Sequence, residues 1–391
     1  MSDTYRRYAA IKQGLMQFFQ PRPTGHRERH LNTLVALICG LTGGQRAHLS
    51  TIADHAPSDG ADQASVIMRF QRWLKHDANT VDGWFLPVAQ ALLAILAEQP
   101  LLLVMDGSAV GRGCVALMLN VVYHGRALPL AWVIIQGQKG HFPQDTHCAL
   151  LAQIQPLIPP TATVTFLGDG EFDGTELQAL LRQYHWQYVC RTAPNVLMTV
   201  YGKQRPIGNM APTRGELLAV RPAWVTAQEY GPVSVLAIWE ATYDDPMYLV
   251  TNMTDLTAAL ALYRKRAHVE TFFSDQKSRG FHLHKSHLSD PARLARLLIA
   301  ACLAYLWLVY LGVCALRDAW MQQLHRRDRC DLSLFRLGLR LLARCLKDAL
   351  LIPHGFLVPA NPPRTPEPQR SDTPRQLTQP QQGNKMACRN G

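Results

Sequence analysis

From the N-terminus, apolar positions recur at helical spacing. TLVALICGLTGG, LSTIADHA, SVIMRFQRWLKH and FLPVAQALLAILAEQ are separated by polar loops, so residues 1–98 are expected to form a helical N-terminal domain. In the third stretch Val66, Phe70, Trp73 and Leu74 would face a core, which leaves Arg69, Arg72 and Lys75 on the outer side.

The texture changes at residue 101. LLLVMDGSAV is a short apolar run ending on a carboxylate, and CVALMLNVVY and ALPLAWVIIQ follow as a hairpin around His124, Gly125 and Arg126. DTHCALLAQIQPLI reads as a helix, TVTFLGDG as a buried strand ending on a second carboxylate, TELQALLRQYH as a helix and WQYVCRT as a strand. The order β-β-β-α-β-α-β, closed by a later helix that bears an acid, is the ribonuclease-H-like layout. In this α/β fold, acids from two neighbouring strands and one helix meet. Residues 99–191 are read as the first part of such a core.

Residues 192–255 interrupt it. LLAVRPAWV, VSVLAIWEATY and MYLVTN, joined by Gly, Pro and Asp turns, indicate a mainly β insertion domain. Residues 256–316 return to the core with the closing helix and then a long apolar helix. Leu297 to Leu316 is uncharged over a length that could span a bilayer; a buried core helix is expected, with a membrane anchor as the rival. Residues 317–357 read as a helical C-terminal region, and the Pro- and Gln-rich residues 358–391 as a disordered tail.

Charge narrows the partners. Across 391 residues, 40 Lys+Arg against 29 Asp+Glu give a formal charge of +11, which favours a polyanion. Residues 263–351 alone hold 16 Lys+Arg against 7 Asp+Glu, so DNA is expected beside the closing helix, bound in a strongly salt-dependent way. Arg69, Arg72 and Lys75 are then candidate DNA contacts of a helix-turn-helix-like unit, although an ordinary solvated basic face has the same pattern.

Other classes lose support. Nine scattered cysteines with no CxxC pair suggest neither a zinc ribbon nor a disulfide framework, and fit a reducing cytoplasm. MSDTYRRYAAIKQ has no long apolar stretch behind its arginines and does not read as a secretory signal. No GxxxxGK[ST] stretch supports nucleotide-driven chemistry. DGEFDG is not a calcium loop, because Leu180 stands where a bidentate Glu is needed. His282, His284 and His287 lack an acid or cysteine to complete a metal set, so FHLHKSHL is expected to be a basic, DNA-facing strand.

An Asp closing a strand is commonly a turn former, but Asp106 and Asp169 lie on strands that the topology makes neighbours. Cutting a phosphodiester without a covalent enzyme intermediate uses two hard cations about 4 Å apart, and carboxylates are natural ligands for magnesium. The run YRKRAHVETFFSDQK offers a third acid. Tyr263, Arg266, Glu270 and Lys277 stand at offsets of 0, 3, 7 and 14, within an arc of about 60° on one helical face. Arg266 can grip a phosphate with its fork, Lys277 can act as a point charge, and Tyr263 can donate its hydroxyl or stack on a base. A simple i,i+4 pair between Arg266 and Glu270 is the alternative.

This spacing resembles the YREK signature of the insertion sequence four family of DDE transposases. Asp106, and Asp169 of LGDGEFDG, stand in the places of the family's two aspartates, and the resemblance covers about residues 100–315. It implies Asp106, Asp169 and Glu270 as catalytic and metal-binding residues, with two Mg²⁺ ions that Mn²⁺ can replace. It also implies cut-and-paste movement of an insertion sequence: water frees a 3′ hydroxyl at the element's end, and that hydroxyl attacks the other strand or the target. Double-stranded DNA of the ends and target, a homodimer in the synaptic complex and a nucleoid-associated cytoplasmic location follow, with no membrane and no nucleotide as partner. Tyr263, Arg266 and Lys277 would hold transferred-end phosphates. Where the family often places a base-stacking Trp, this chain reads DDPMYLVTN, so Tyr248 or Trp239 is the candidate. The rival readings are a catalytically inactive DNA-binding relative, a membrane-anchored basic protein, and a tyrosine recombinase that would trap DNA on Tyr263.

Overall fold

The computed structural model describes residues 1–137, 142–318, 320–325 and 331–363. Six helices come first: α1 (Asp3–Met16), α2 (Gly25–Gly44), α3 (Leu49–Asp54), α4 (Gln63–Lys75), α5 (Val81–Trp84) and α6 (Leu86–Leu96). Asp62 caps α4 by accepting from the Ser65 N–H at 2.7 Å. On α4, Val66, Phe70, Trp73 and Leu74 are buried while Arg72 and Lys75 are exposed. Arg69 differs from the outward position expected: it is half-buried, and its Nη2 donates to the Pro57 carbonyl at 3.0 Å.

The sheet begins with β1 (Leu101–Val110), β2 (Cys114–Tyr123) and β3 (Arg126–Gln136), and continues through α7 (Gln144–Ile154), β4 (Val164–Gly168), α8 (Thr175–Gln183) and β5 (Gln187–Thr192). The turn between β2 and β3 uses only His124 and Gly125, at φ 42° and 70°, as a two-residue hairpin requires; Arg126 belongs to the strand. β1, β2 and β3 are antiparallel neighbours, whereas β1, β4 and β5 are parallel. This is the ribonuclease-H-like arrangement.

β6 (Leu197–Val200), β7 (Lys203–Pro206), β8 (Leu217–Val225), β9 (Tyr230–Ile238) and β10 (Met247–Thr251) fill the interval read as a β insertion. They extend the core sheet, because β10 pairs antiparallel with the otherwise open edge of β5. The result is one ten-stranded sheet in the order β3-β2-β1-β4-β5-β10-β9-β8-β6-β7.

α9 (Leu256–Tyr263), α10 (His268–Gln276), α11 (Pro291–Arg317), α12 (Met321–Leu324) and α13 (Leu334–Lys347) complete the described elements. α11 carries the bilayer-length apolar stretch, but 94% of its most apolar window is buried against the rest of the fold. Its neighbours include α2, α4, β3 and α13. Two glycines let α11 and α13 touch backbone to backbone: a Cβ on Gly312 would lie 2.0 Å from the Leu334 carbonyl oxygen, and one on Gly338 1.8 Å from that of Leu308. Of the segment expected to be a disordered tail, Val358 is buried and Pro359 accepts from the Tyr123 hydroxyl at 3.0 Å. Residues 364–391 lie outside the described residues.

Candidate active site

β1 and β4 are in parallel register from Leu101↔Val164 to Val104↔Leu167. Asp106 and Asp169 each stand two positions further on, so the register carries both acids to the same end of the strand pair. Asp106 does not end its strand. β1 runs on to Val110 along β2, with Asp106 opposite Met118, which fixes the carboxylate in a ladder. Asp169 leaves β4 through a turn in which its Oδ1 accepts from the Glu171 N–H, and its carbonyl from the Phe172 N–H, both at 3.0 Å. Gly168 suits this turn, since a Cβ there would lie 2.7 Å from the Phe172 Cβ.

The two acids share one cation. Nη1 of Arg266 is 3.9 Å from Oδ2 of Asp106 and 3.7 Å from Oδ2 of Asp169. Asp106 is only 5% exposed, so the guanidinium offsets a like-charge repulsion that solvent screens poorly.

Tyr263, Arg266, Glu270 and Lys277 do not form the continuous helical stripe expected of them. Arg264–Ala267 is a 3-10 turn between α9 and α10, and such a turn advances about 120° per residue instead of about 100°. Arg266 is thereby turned toward the strand acids. Lys277 lies beyond the end of α10, because the chain folds back so that the buried Phe281 donates its N–H to the Asp275 carbonyl at 3.0 Å. Its Nζ donates to Oγ of Ser108 at 2.6 Å. Ser108 is two residues from Asp106, on the same face of β1.

Glu270 is exposed in the first turn of α10 and lines a cavity of about 440 Å³ with Tyr263, Arg266, Arg191, Tyr243 and Asp245. Arg191 and Asp245 also line a neighbouring cavity of about 770 Å³, together with Asp169 and Tyr248. The three acids are not gathered as tightly as a single-ion ligand set. Among the described residues, only His26, His30 and His76 bring three such ligand atoms within 4.8 Å of one another.

The aromatic candidates differ in environment. Tyr263 is 7% exposed, and burial raises its hydroxyl pKa while Arg266 and Arg191 pull it down. Tyr248 is likewise buried, in the wall of the second cavity. Trp239 donates its Nε1 to the Tyr243 carbonyl at 3.0 Å and carries Arg214 over its ring at 5.3 Å. The Tyr243 side chain, 62% exposed, was missed in the sequence because its turn has no periodicity to mark it. Arg191 was missed too; it is exposed on β5 between the buried Cys190 and Thr192, and the run QYVCRT has no strict alternation to single it out.

FHLHKSHL is not a strand. Leu283–Lys285 is a 3-10 turn, with His282 at φ 52° and His287 at φ 62°, because burial of Phe281 and Leu283 folds the segment back on itself. His287 Nδ1 lies 3.0 Å from Nη2 of Arg112.

Two further residues passed over in the sequence hold α10 in place. Arg126 and Asp275 form a buried ion pair, and Nη1 of Arg126 also donates to the Tyr305 hydroxyl at 3.2 Å. That hydroxyl donates to the Ala127 carbonyl at 3.1 Å, so β3, α10 and α11 are tied at one point. Burial pushes the Asp275 carboxyl up, against the downward pull of Arg126. Behind Asp169, burial pulls the imidazole of His147 down to about 4, while the charge of Asp169 acts the other way.

Residues 76–307 match the family model described as the transposase DDE domain. Among solved structures, the piggyBac transposase synaptic complex with hairpin DNA is similar at 12% identity and a TM-score of 0.43, over 89% of this chain and 80% of that chain. Human ENDOV is similar at 14% identity and a TM-score of 0.24, over 47% of this chain and 88% of that one. No curated protein matches. The family match spans more than half of the chain and takes in Asp106, Asp169, Arg266, Glu270 and Lys277, and the chain belongs to the DDE-domain transposases.

Proposed function

We propose that this protein moves an insertion sequence by cut-and-paste transposition, with Asp106, Asp169 and Glu270 as the acids that hold two divalent cations. The observation that carries the reading is the approach of Asp106 and Asp169 to a single guanidinium nitrogen. Two carboxylates already balanced by a cation suit a cationic site, and their hard oxygens suit Mg²⁺, with Mn²⁺ able to replace it. When bound, such ions would activate the attacking water or 3′ hydroxyl and stabilise the leaving oxygen. Arg266, displaced from the acids by the ions, would turn its fork to a DNA phosphate; Lys277 would add a second phosphate contact. Tyr243, exposed beside Glu270, joins Tyr248 and Trp239 as a candidate for stacking a base.

The finer assignment to the insertion sequence four family rests on the spacing of Tyr263, Arg266, Glu270 and Lys277. Duplex DNA would run along the basic surface beside α10, with α4 as a second contact through Arg72 and Lys75. Synapsis of two ends calls for a homodimer, acting at the nucleoid. The deciding experiment compares Asp169→Asn and Glu270→Ala with the wild type on DNA flanking the gene, with Mg²⁺ and with EDTA. Both substitutions are expected to abolish Mg²⁺-dependent cleavage and leave end binding intact, and cleavage by either variant would refute the assignment.

A further inference from the structure

We propose that His26, His30 and His76 form a site for one divalent transition-metal ion of the zinc type, separate from the carboxylate site. One ring nitrogen from each residue lies within 4.8 Å of the other two. The ring centroids are 4.4 Å apart for His26 and His30, 4.6 Å for His30 and His76, and 5.7 Å for His26 and His76. His26 and His30 stand at i,i+4 in the first turns of α2, a spacing that puts two imidazoles on one helical face. His76 is the residue that ends α4, so the third ligand comes from another helix.

The site is built into a cavity of about 470 Å³ whose wall includes Ala78, Asn79 and Trp84. The His30 imidazole is half-buried there, between the exposed rings of His26 and His76. Asn79 packs beside the imidazoles, its amide nitrogen donating to the Trp73 carbonyl at 2.8 Å and its oxygen accepting from Trp84 Nε1 at 3.1 Å. Arg27 lies over the Trp84 ring, 5.6 Å from its centroid.

Three imidazoles and an open fourth position suit Zn²⁺, Co²⁺, Ni²⁺ or Cu²⁺, and suit Mg²⁺ poorly because it prefers oxygen ligands. A bound ion would cross-link the start of α2 to the end of α4, the helix that carries Arg72 and Lys75. The inference does not rest on the proposed transposition chemistry.

The test is a titration of the metal-stripped full-length protein with Zn²⁺, and with Co²⁺ as a spectroscopic probe, in excess Mg²⁺. Wild type is compared with His26→Gln, His76→Ala, His284→Gln and Asp169→Asn, each checked for folding by circular dichroism. His26 and His76 are exposed, so their replacement should leave the fold intact. The expected result is one Zn²⁺ per chain, undisplaced by Mg²⁺. Affinity should fall by at least about tenfold in His26→Gln and His76→Ala and stay unchanged in the other two variants. Folded wild type that takes up no zinc, or the same stoichiometry and affinity in His26→Gln and His76→Ala, would overturn the proposal.

Discussion

The ammonium of Lys277 donates to the hydroxyl of Ser108 at 2.6 Å, two residues along β1 from Asp106. A lysine whose backbone lies past the end of α10 is thus anchored beside a strand acid. Charge and anchoring can be separated by experiment. Lys277→Ala should reduce the slope of log K against log salt for end binding by about 1, whereas Ser108→Ala, which keeps the ammonium, should leave the slope unchanged. Equal slopes in wild type and Lys277→Ala would remove Lys277 from the DNA contacts.

Arg266 should compete with metal. Unit charges about 4 Å apart interact by about 4 kcal/mol at the effective dielectric of a protein surface, so removing the guanidinium takes one cation away from both carboxylates. In the absence of DNA, Arg266→Gln is expected to bind Mn²⁺ about tenfold or more tightly than wild type, a gain of about 1.4 kcal/mol. Calorimetric titration reads this directly, and weaker or equal binding would mean that Arg266 does not hold the place of a cation.

The buried pair of Arg126 and Asp275 should matter for stability. Breaking such a pair from one side strands a charge, at a typical cost of about 3–5 kcal/mol, while replacing both partners by apolar residues is often neutral. Urea denaturation of Arg126→Met should show the loss, and Arg126→Met with Asp275→Leu should recover most of it. A double variant as unstable as the single one would mean that the pair itself contributes the stability.

Acid should weaken the fold through His147. Its imidazole is held down at about 4 by burial, against about 6.5 in the unfolded chain. The unfolded state therefore binds more protons between these values. The contribution is fully present above about pH 6.5 and is lost as the pH falls toward 4, by up to about 3 kcal/mol. Wild type should lose more stability than His147→Gln between pH 7 and pH 4.5 in denaturant titrations. Parallel losses would assign the acid sensitivity to other groups.

Much of this could be read along the chain. β2 begins and ends where the apolar run CVALMLNVVY does, β1 begins with LLLVM although it runs on past Asp106 to Val110, and α4 buries the four residues that its periodicity puts inside. Local steric preference and burial on one face write such elements into consecutive residues, so a short window suffices. The spacing from Tyr263 to Lys277 was equally visible, and so were the two strand-borne aspartates.

Contacts between distant residues were not legible in this way. The 3-10 turn at Arg264–Ala267 breaks a pattern that looked uniformly helical, and only its neighbours in space show where Arg266 then points. FHLHKSHL looked like a strand until burial of Phe281 folded it into a turn. The sequence alone determined most of the elements, the charge surplus and the acids available for chemistry. Tertiary structure decided that β10 closes the edge of β5, that Arg126 meets Asp275 and that one guanidinium serves two carboxylates. Each of these depends on chain segments that meet only after folding, where register and burial choose among partners that a linear pattern leaves equivalent.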